Sequence, residues 1–346
     1  MTAASGQDKA SIKDPRYQKY AGRYGGSSGV VLFDDGTYLL YGYATAVFGT
    51  YRFEKDRLVF SADRQEVFQV YGHRNPSLTK GNRINFVGFE RGSKPLVQLG
   101  TDNARPVFND AANCFSGPFV YVHPGKLDQF TLAAPGREFS GTQKAANVSA
   151  TFINKEGYND FIFLYNAPSR EREDFVGQIA SAKEGEILRL SNYGGAEGYV
   201  RRKEEKATNN WKEIDEMKSQ YQQNKVAEND ILYANPHYQS FDAPDSSRYH
   251  YDKTKNVYTA REEKENQARY MQDQYNDPTY LRQYQEMTPN ADHSVQLIPK
   301  SKATSLFFTV CGEGSERSYK YTDYIEYKIT DPEPPVILHP VRIKNQ

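Results

Sequence analysis

The chain has 346 residues, and its 44 Lys plus Arg are balanced by 44 Asp plus Glu. Such a balance supplies no global field for nucleic acid, and the longest basic run, Arg201-Arg202-Lys203, is followed at once by Glu204 and Glu205, so nucleic acid is set aside as a partner. No stretch reaches the ~20 continuous apolar residues of a membrane-crossing helix, so no membrane span is expected.

Residues 1–21 read as a disordered leader. The small residues Met1-Thr2-Ala3-Ala4-Ser5-Gly6 ahead of a polar stretch match a mature secreted terminus behind an added methionine. Gly25-Gly26-Ser27-Ser28-Gly29 then fits the pattern G-x-S-x-G. A nucleophile elbow needs a strand before that motif and a helix after it, whereas here a polar loop leads into a strand. A flexible glycine-serine loop is therefore expected.

Over 22–204 short apolar runs alternate with turn chemistry. Val30-Val31-Leu32-Phe33 meets Asp34-Asp35-Gly36, Leu58-Val59-Phe60 follows Glu54-Lys55-Asp56-Arg57, and Phe119-Val120-Tyr121-Val122 meets His123-Pro124-Gly125. Further runs sit at Val67–Tyr71, Arg83–Phe89, Phe161–Tyr165 and Ile187–Leu190. Closely spaced strands without intervening helices predict an antiparallel barrel or sandwich.

Over 205–295 the composition changes to a helical and tyrosine-rich loop insert. Trp211, Ile214, Met217 and Tyr221 fall on one helical face. Ala268, Met271 and Tyr275 suggest a second helix over 259–275, and Tyr280, Leu281, Tyr284 and Met287 a third. Residues 227–258 read as a long loop whose rings pack over something, because a disordered linker would lack so many aromatics.

Strands return over 296–346 and complete the β domain. Tyr319 to Ile329 alternates cleanly, as a half-buried strand should. The fold expected is all-β or β-dominated, with a discontinuous β domain interrupted by the insert. The alternative is two domains joined near 201–210.

Two cysteines, Cys114 and Cys311, are too few for a disulfide scaffold, yet they could pair in an oxidising compartment or remain two buried thiols. With the leader-like terminus they point to a secreted or periplasmic location, although a cytoplasmic one also fits the residues.

The segment Phe33-Asp34-Asp35-Gly36-Thr37-Tyr38, continued by Phe48-Gly49-Thr50-Tyr51-Arg52-Phe53 and Leu58-Val59-Phe60, resembles the opening of bacterial lipocalin-like small β-barrels. The resemblance covers residues 33–60. It implies a barrel whose mouth accepts an apolar or aromatic ligand, and it brings no binding residues with it.

No catalytic set stands out, no cofactor motif is present, and no histidine pair has ligand spacing, so no metal site is assigned. His237 and His250 do share the aromatic loop with Asp242, Asp245 and Asp252. Trp211, Tyr233, Tyr238, Tyr249 and Tyr251 are the candidate binding residues, since such rings pack while keeping a polar handle. The leading expectation is an extracytoplasmic binding or structural-interaction protein, with an unknown protein, a glycan or a small apolar ligand as partner. The alternatives are a barrel carrier of a small apolar ligand and a glycan-directed hydrolase with unidentified acids.

Overall fold

The computed structural model describes residues 14–90, 94–110, 112–136, 146–183, 185–203, 209–226, 230–262, 276–294, 296–303, 305–310 and 324–330. The fold is β-dominated and chiefly antiparallel. The chain divides into two compact units, Met1–Gln65 with Pro168–Asn229, and Glu66–Ala167 with Asp230–Gln346. Residues 22–204, read from sequence as one β region, contribute to both. Among the described residues no helix is long and apolar enough to cross a membrane.

The first unit is a nearly closed barrel of eight strands in the order Gly22–Gly25, Gly29–Leu32, Thr37–Gly42, Thr45–Glu54, Arg57–Ala62, Phe175–Ala182, Gly185–Leu190 and Tyr199–Val200. An antiparallel bridge between Tyr24 and Arg201 joins its ends, and the Arg202 N–H donates to the Arg23 carbonyl at 2.8 Å. Closure of this kind removes the unpaired edges that would otherwise recruit another chain. The turn at Asp34-Asp35-Gly36 forms as expected, with Gly36 at φ +82° and the Thr37 N–H donating to Asp35 Oδ1 at 3.0 Å. Gly25 pairs with Gly29 across a hairpin tip, so the G-x-S-x-G segment has a strand after it and no helix.

An eight-stranded barrel is just wide enough for its own side chains. Here Tyr24, Leu32, Tyr38, Phe60, Phe175 and Leu188 are buried together. Phe60 stacks on Phe175 at 4.5 Å and meets Tyr38 edge-on at 5.1 Å, which fills the interior with rings.

Outward-facing Val31, Phe33, Leu39 and Phe48 would be left wet without a cover. The helix Asn209–Val226 provides it, seating Trp211, Ile214 and Tyr221 on that patch, with Tyr221 stacked on Phe48 at 4.3 Å. Met217, expected on the same stripe, is instead 40% exposed. Lys218 takes the inward position because its ammonium reaches both the Phe33 ring at 4.0 Å and Asp35 at 2.6 Å. At the far end Asp63 accepts from the Tyr221 hydroxyl and from Lys225, each at 2.9 Å.

The second unit contains a sandwich of two sheets. One runs Phe119–His123, Asn82–Val87, Asp160–Tyr165, Phe68–His73, Tyr280–Glu286, Ile231–Ala234 and Ser240–Phe241, and the hairpin of Tyr249–Asp252 with Val257–Ala260 joins it at Tyr280–Glu286. The other runs Ala291–Ser294, Val148–Ile153, Gln129–Ala134, Leu96–Leu99 and Arg105–Pro106. Phe86, Phe161 and Phe163 of the first sheet meet Phe130 and Phe152 of the second in a common core. Gln296–Ala303 pairs separately with Tyr324–Thr330, while residues 319–323 of the expected alternating strand lie outside the described residues.

The insert departs from its expected helical and looped character. Residues 231–260 hold short strands, and the expected third helix is the strand Tyr280–Glu286. That strand lies inside a sheet, with Ile231–Ala234 on one edge and both Val257–Ala260 and Phe68–His73 on the other. Its two buried residues, Leu281 and Tyr284, stand three apart on opposite faces, a spacing that also fits a helical stripe. Of the expected second helix, 259–260 are strand and 263–275 lie outside the described residues.

Candidate functional site

The strand Asn82–Val87 sends Ile84 and Phe86 into the sandwich core, so Asn85 projects from the opposite face. It does not reach solvent. Asn85 is 2% exposed, and its Oδ1 is buried without a hydrogen-bond partner. A buried unmet acceptor of this kind costs about 1–3 kcal/mol. Its cross-strand neighbours are Val120 and Ile162, over which the segment 231–241 packs Ala234 and Tyr238.

That cover is held tightly. The buried Asn235 side chain accepts from the backbone N–H groups of His237 at 2.9 Å and Gln239 at 3.0 Å, and donates to the Asp277 carbonyl at 3.0 Å. The Tyr238 N–H returns to the Asn235 carbonyl at 2.9 Å. Within this loop Tyr238 adopts φ +64°, a left-handed conformation that costs a bulky residue on the order of 1–3 kcal/mol. The conformation turns its ring inward, and its hydroxyl donates to Asp160 Oδ1 at 2.7 Å.

Asp160 is wholly buried, opposite His73 in the register of its strand with Phe68–His73. Its Oδ2 accepts from Asn75 Nδ2 at 2.8 Å and from Arg282 at 3.3 Å. A carboxylate taken out of water needs such partners. Burial, reinforced by Asp160, pushes the Tyr238 hydroxyl far above the ordinary tyrosine range, so it remains a donor. His73 is buried as well, with Nδ1 at 3.0 Å from the Gln283 carbonyl and Nε2 buried without a partner. Burial holds its pKa below the usual imidazole value, against the opposing effects of that carbonyl and of Asp160.

Above this network lies a cleft of about 360 Å³. Asn85, His237, Tyr238, Gln239 and Glu90 contribute its polar lining, while Val87, Phe115, Pro118 and Phe119 contribute its apolar side. Phe115 is 40% exposed, yet Phe108 and Phe119 hold it edge-on at 5.4 and 6.1 Å. The arrangement offers a fixed aromatic surface beside amide and imidazole groups. Glu90 is the only carboxylate among the described lining residues, and no Lys or Arg is among them.

No protein-family model, curated protein or solved structure matches this chain.

Of the residues singled out from sequence, Tyr238 lies at the cleft. Tyr233 and Tyr251 are brought together elsewhere through Tyr258, which meets their rings at 5.7 and 5.0 Å. Tyr249 donates to the Pro278 carbonyl at 3.1 Å, and Trp211 is buried beneath the barrel's helix. Cys114 is disulfide-bonded, and Cys311, the chain's other cysteine, lies outside the described residues. His250 is exposed, whereas His237 lines the cleft.

Sequence reasoning did not single out Asn85, Phe115, Asp160 or His73 as site residues. Asn85 occupies a position that strand alternation assigns to solvent, and Asp160 stands beside an apolar run like any surface acid. Only the segment that folds over them makes either one unusual.

Proposed function

We propose that this chain is an extracytoplasmic binding protein whose ligand occupies the cleft between Phe115 and the Asn235–Gln239 loop. The observation that carries the reading is the cleft of about 360 Å³ that sets the partly exposed Phe115 ring beside His237, Tyr238 and Gln239. The left-handed Tyr238 in the wall of this cleft is a local strain of the kind that gathers at binding sites.

The disulfide at Cys114 supports the extracytoplasmic part, because structural disulfides persist in oxidising compartments. The carrier alternative draws little support from a barrel interior occupied by its own rings. The hydrolase alternative lacks a second convergent acid in the described lining.

The test is a small-molecule fragment screen by heteronuclear NMR on the full chain, with cell fractionation of the source alongside. Clustered shifts at His237, Gln239 and Phe115 are expected, together with recovery of the protein outside the cytoplasm. Fragments that cluster only elsewhere would remove the cleft reading, and a cytoplasmic pool alone would remove the location.

A further inference from the structure

The geometry points to a phosphoryl-binding site on the barrel unit, formed by the hairpin tip 25–29 and Arg202, a proposal that does not rest on the cleft. Gly26, Ser27, Ser28, Tyr199 and Arg202 are among the residues lining a depression of about 310 Å³ at this tip. The acceptors of the tip are engaged and its donors are open. The Gly25 carbonyl accepts from Arg202 Nε at 2.8 Å, the Gly26 carbonyl from Arg23 Nη2 at 2.8 Å, and the Ser28 carbonyl from the Gly26 N–H at 3.1 Å. Among the described residues nothing accepts from the N–H groups or hydroxyls of Ser27 and Ser28, and both residues are exposed.

Arg202 is exposed as well, and its Nε bond to Gly25 fixes the guanidinium beside the loop. No carboxylate among the described residues pairs with it, so Nη1 and Nη2 face the depression as an unoccupied fork. Glycine at position 26 leaves room for that fork, since a Cβ there would stand 3.0 Å from Nη2. A guanidinium fork binds two oxygens of one anion in parallel hydrogen bonds. A phosphoryl group then has a third oxygen for the serine N–H and hydroxyl donors, whereas a carboxylate has none left. Arg23, held to the Gly26 carbonyl and to the Tyr41 hydroxyl at 2.9 Å, adds a second positive charge beside the loop. The depression is larger than a phosphoryl group alone, which leaves space along Tyr199 for the substituent of a phosphomonoester.

The experiment titrates the full chain with inorganic phosphate, glycerol 3-phosphate and acetate at low ionic strength, followed by heteronuclear NMR. Both phosphates are expected to shift the Ser27 and Ser28 amides saturably and less tightly as salt is added, with acetate at least about tenfold weaker. Arg202→Gln should weaken phosphate binding at least about tenfold, and Arg202→Lys nearly as much, because an ammonium keeps the charge and loses the fork. Ser27→Ala combined with Ser28→Ala removes two exposed hydroxyls and should weaken binding about threefold to tenfold with the fold intact. That pair decides the matter if loss of the Gly25 bond unfolds the Arg202 variants, which Trp211 emission would report. Lys155→Gln, at an exposed cation of the other unit, should leave the affinity unchanged. Tighter binding of inorganic phosphate would identify the free ion as ligand, and tighter binding of glycerol 3-phosphate a group carried on a larger molecule; either upholds the site. Three outcomes overturn it: no saturable shift at Ser27 and Ser28, acetate binding as tightly as phosphate, or an affinity unmoved by Arg202→Gln and by the serine pair.

Discussion

The Tyr238 hydroxyl donates to Asp160 Oδ1 at 2.7 Å, across 78 positions of sequence. It thereby links a left-handed loop residue to a carboxylate with no solvent exposure. Tyr238→Phe keeps the ring and removes this one bond, leaving Asp160 with Asn75 and Arg282. A loss of about 1–3 kcal/mol in unfolding free energy is expected from urea titration. An unchanged midpoint would show that the bond contributes nothing net.

Removing the acid should cost more than removing its donor. Asp160→Leu leaves Arg282, whose side chain is 15% exposed, without its carboxylate, and breaking a buried pair from one side costs roughly 3–5 kcal/mol. Adding Arg282→Met to Asp160→Leu should recover part of that loss, because no charge then remains unpaired. A double-mutant cycle by urea unfolding measures the difference.

The buried His73 sets a direction for the pH dependence. Its folded-state pKa lies below the ordinary 6.5, chiefly through burial. As pH falls through that value the unfolded chain takes up the proton first, so stability present above it is lost toward the folded-state pKa. His123, also depressed chiefly by burial, acts in the same sense. Urea midpoints compared at about pH 8 and about pH 5 should fall for the native chain and fall less for His73→Asn.

Trp211 is the only tryptophan of the chain, and it is 7% exposed under the barrel's helix. Its emission should be blue-shifted in the folded protein and should report the barrel unit alone. Trp211→Ala should destabilise that unit by about 3–5 kcal/mol, read by the loss of helical circular dichroism on heating.

Cys114 is disulfide-bonded, and its neighbour Asn113 donates its N–H to the Thr309 carbonyl at 3.4 Å. Cys114→Ser, like dithiothreitol on the native chain, should lower stability by roughly 2–5 kcal/mol. Non-reducing electrophoresis should show a slower band for the variant.

Much of the strand framework was legible because its causes are local. The turn at Asp34-Asp35-Gly36 demands a positive φ that glycine supplies, and the helix at Trp211 and Tyr221 shows its period without any partner. Tyr280–Glu286 was misread because its two buried residues, Leu281 and Tyr284, stand three apart on opposite faces of the strand, a spacing that also fits a helical stripe. Lys218 displaced Met217 from the helix's inner face through Asp35 and Phe33, which lie far away in the chain.

The sequence by itself determined the β-dominated class, the positions of the turns and a tyrosine-rich segment set apart from the rest. Each follows from the conformational preferences of neighbouring residues. The tertiary structure alone decided that Asn85 is dry and unmet, that Asp160 is sealed beneath Tyr238, and that Phe115 stands beside His237. Those relationships join residues from separate strands and loops, and the same Asn or Asp on an uncovered sheet would simply face water.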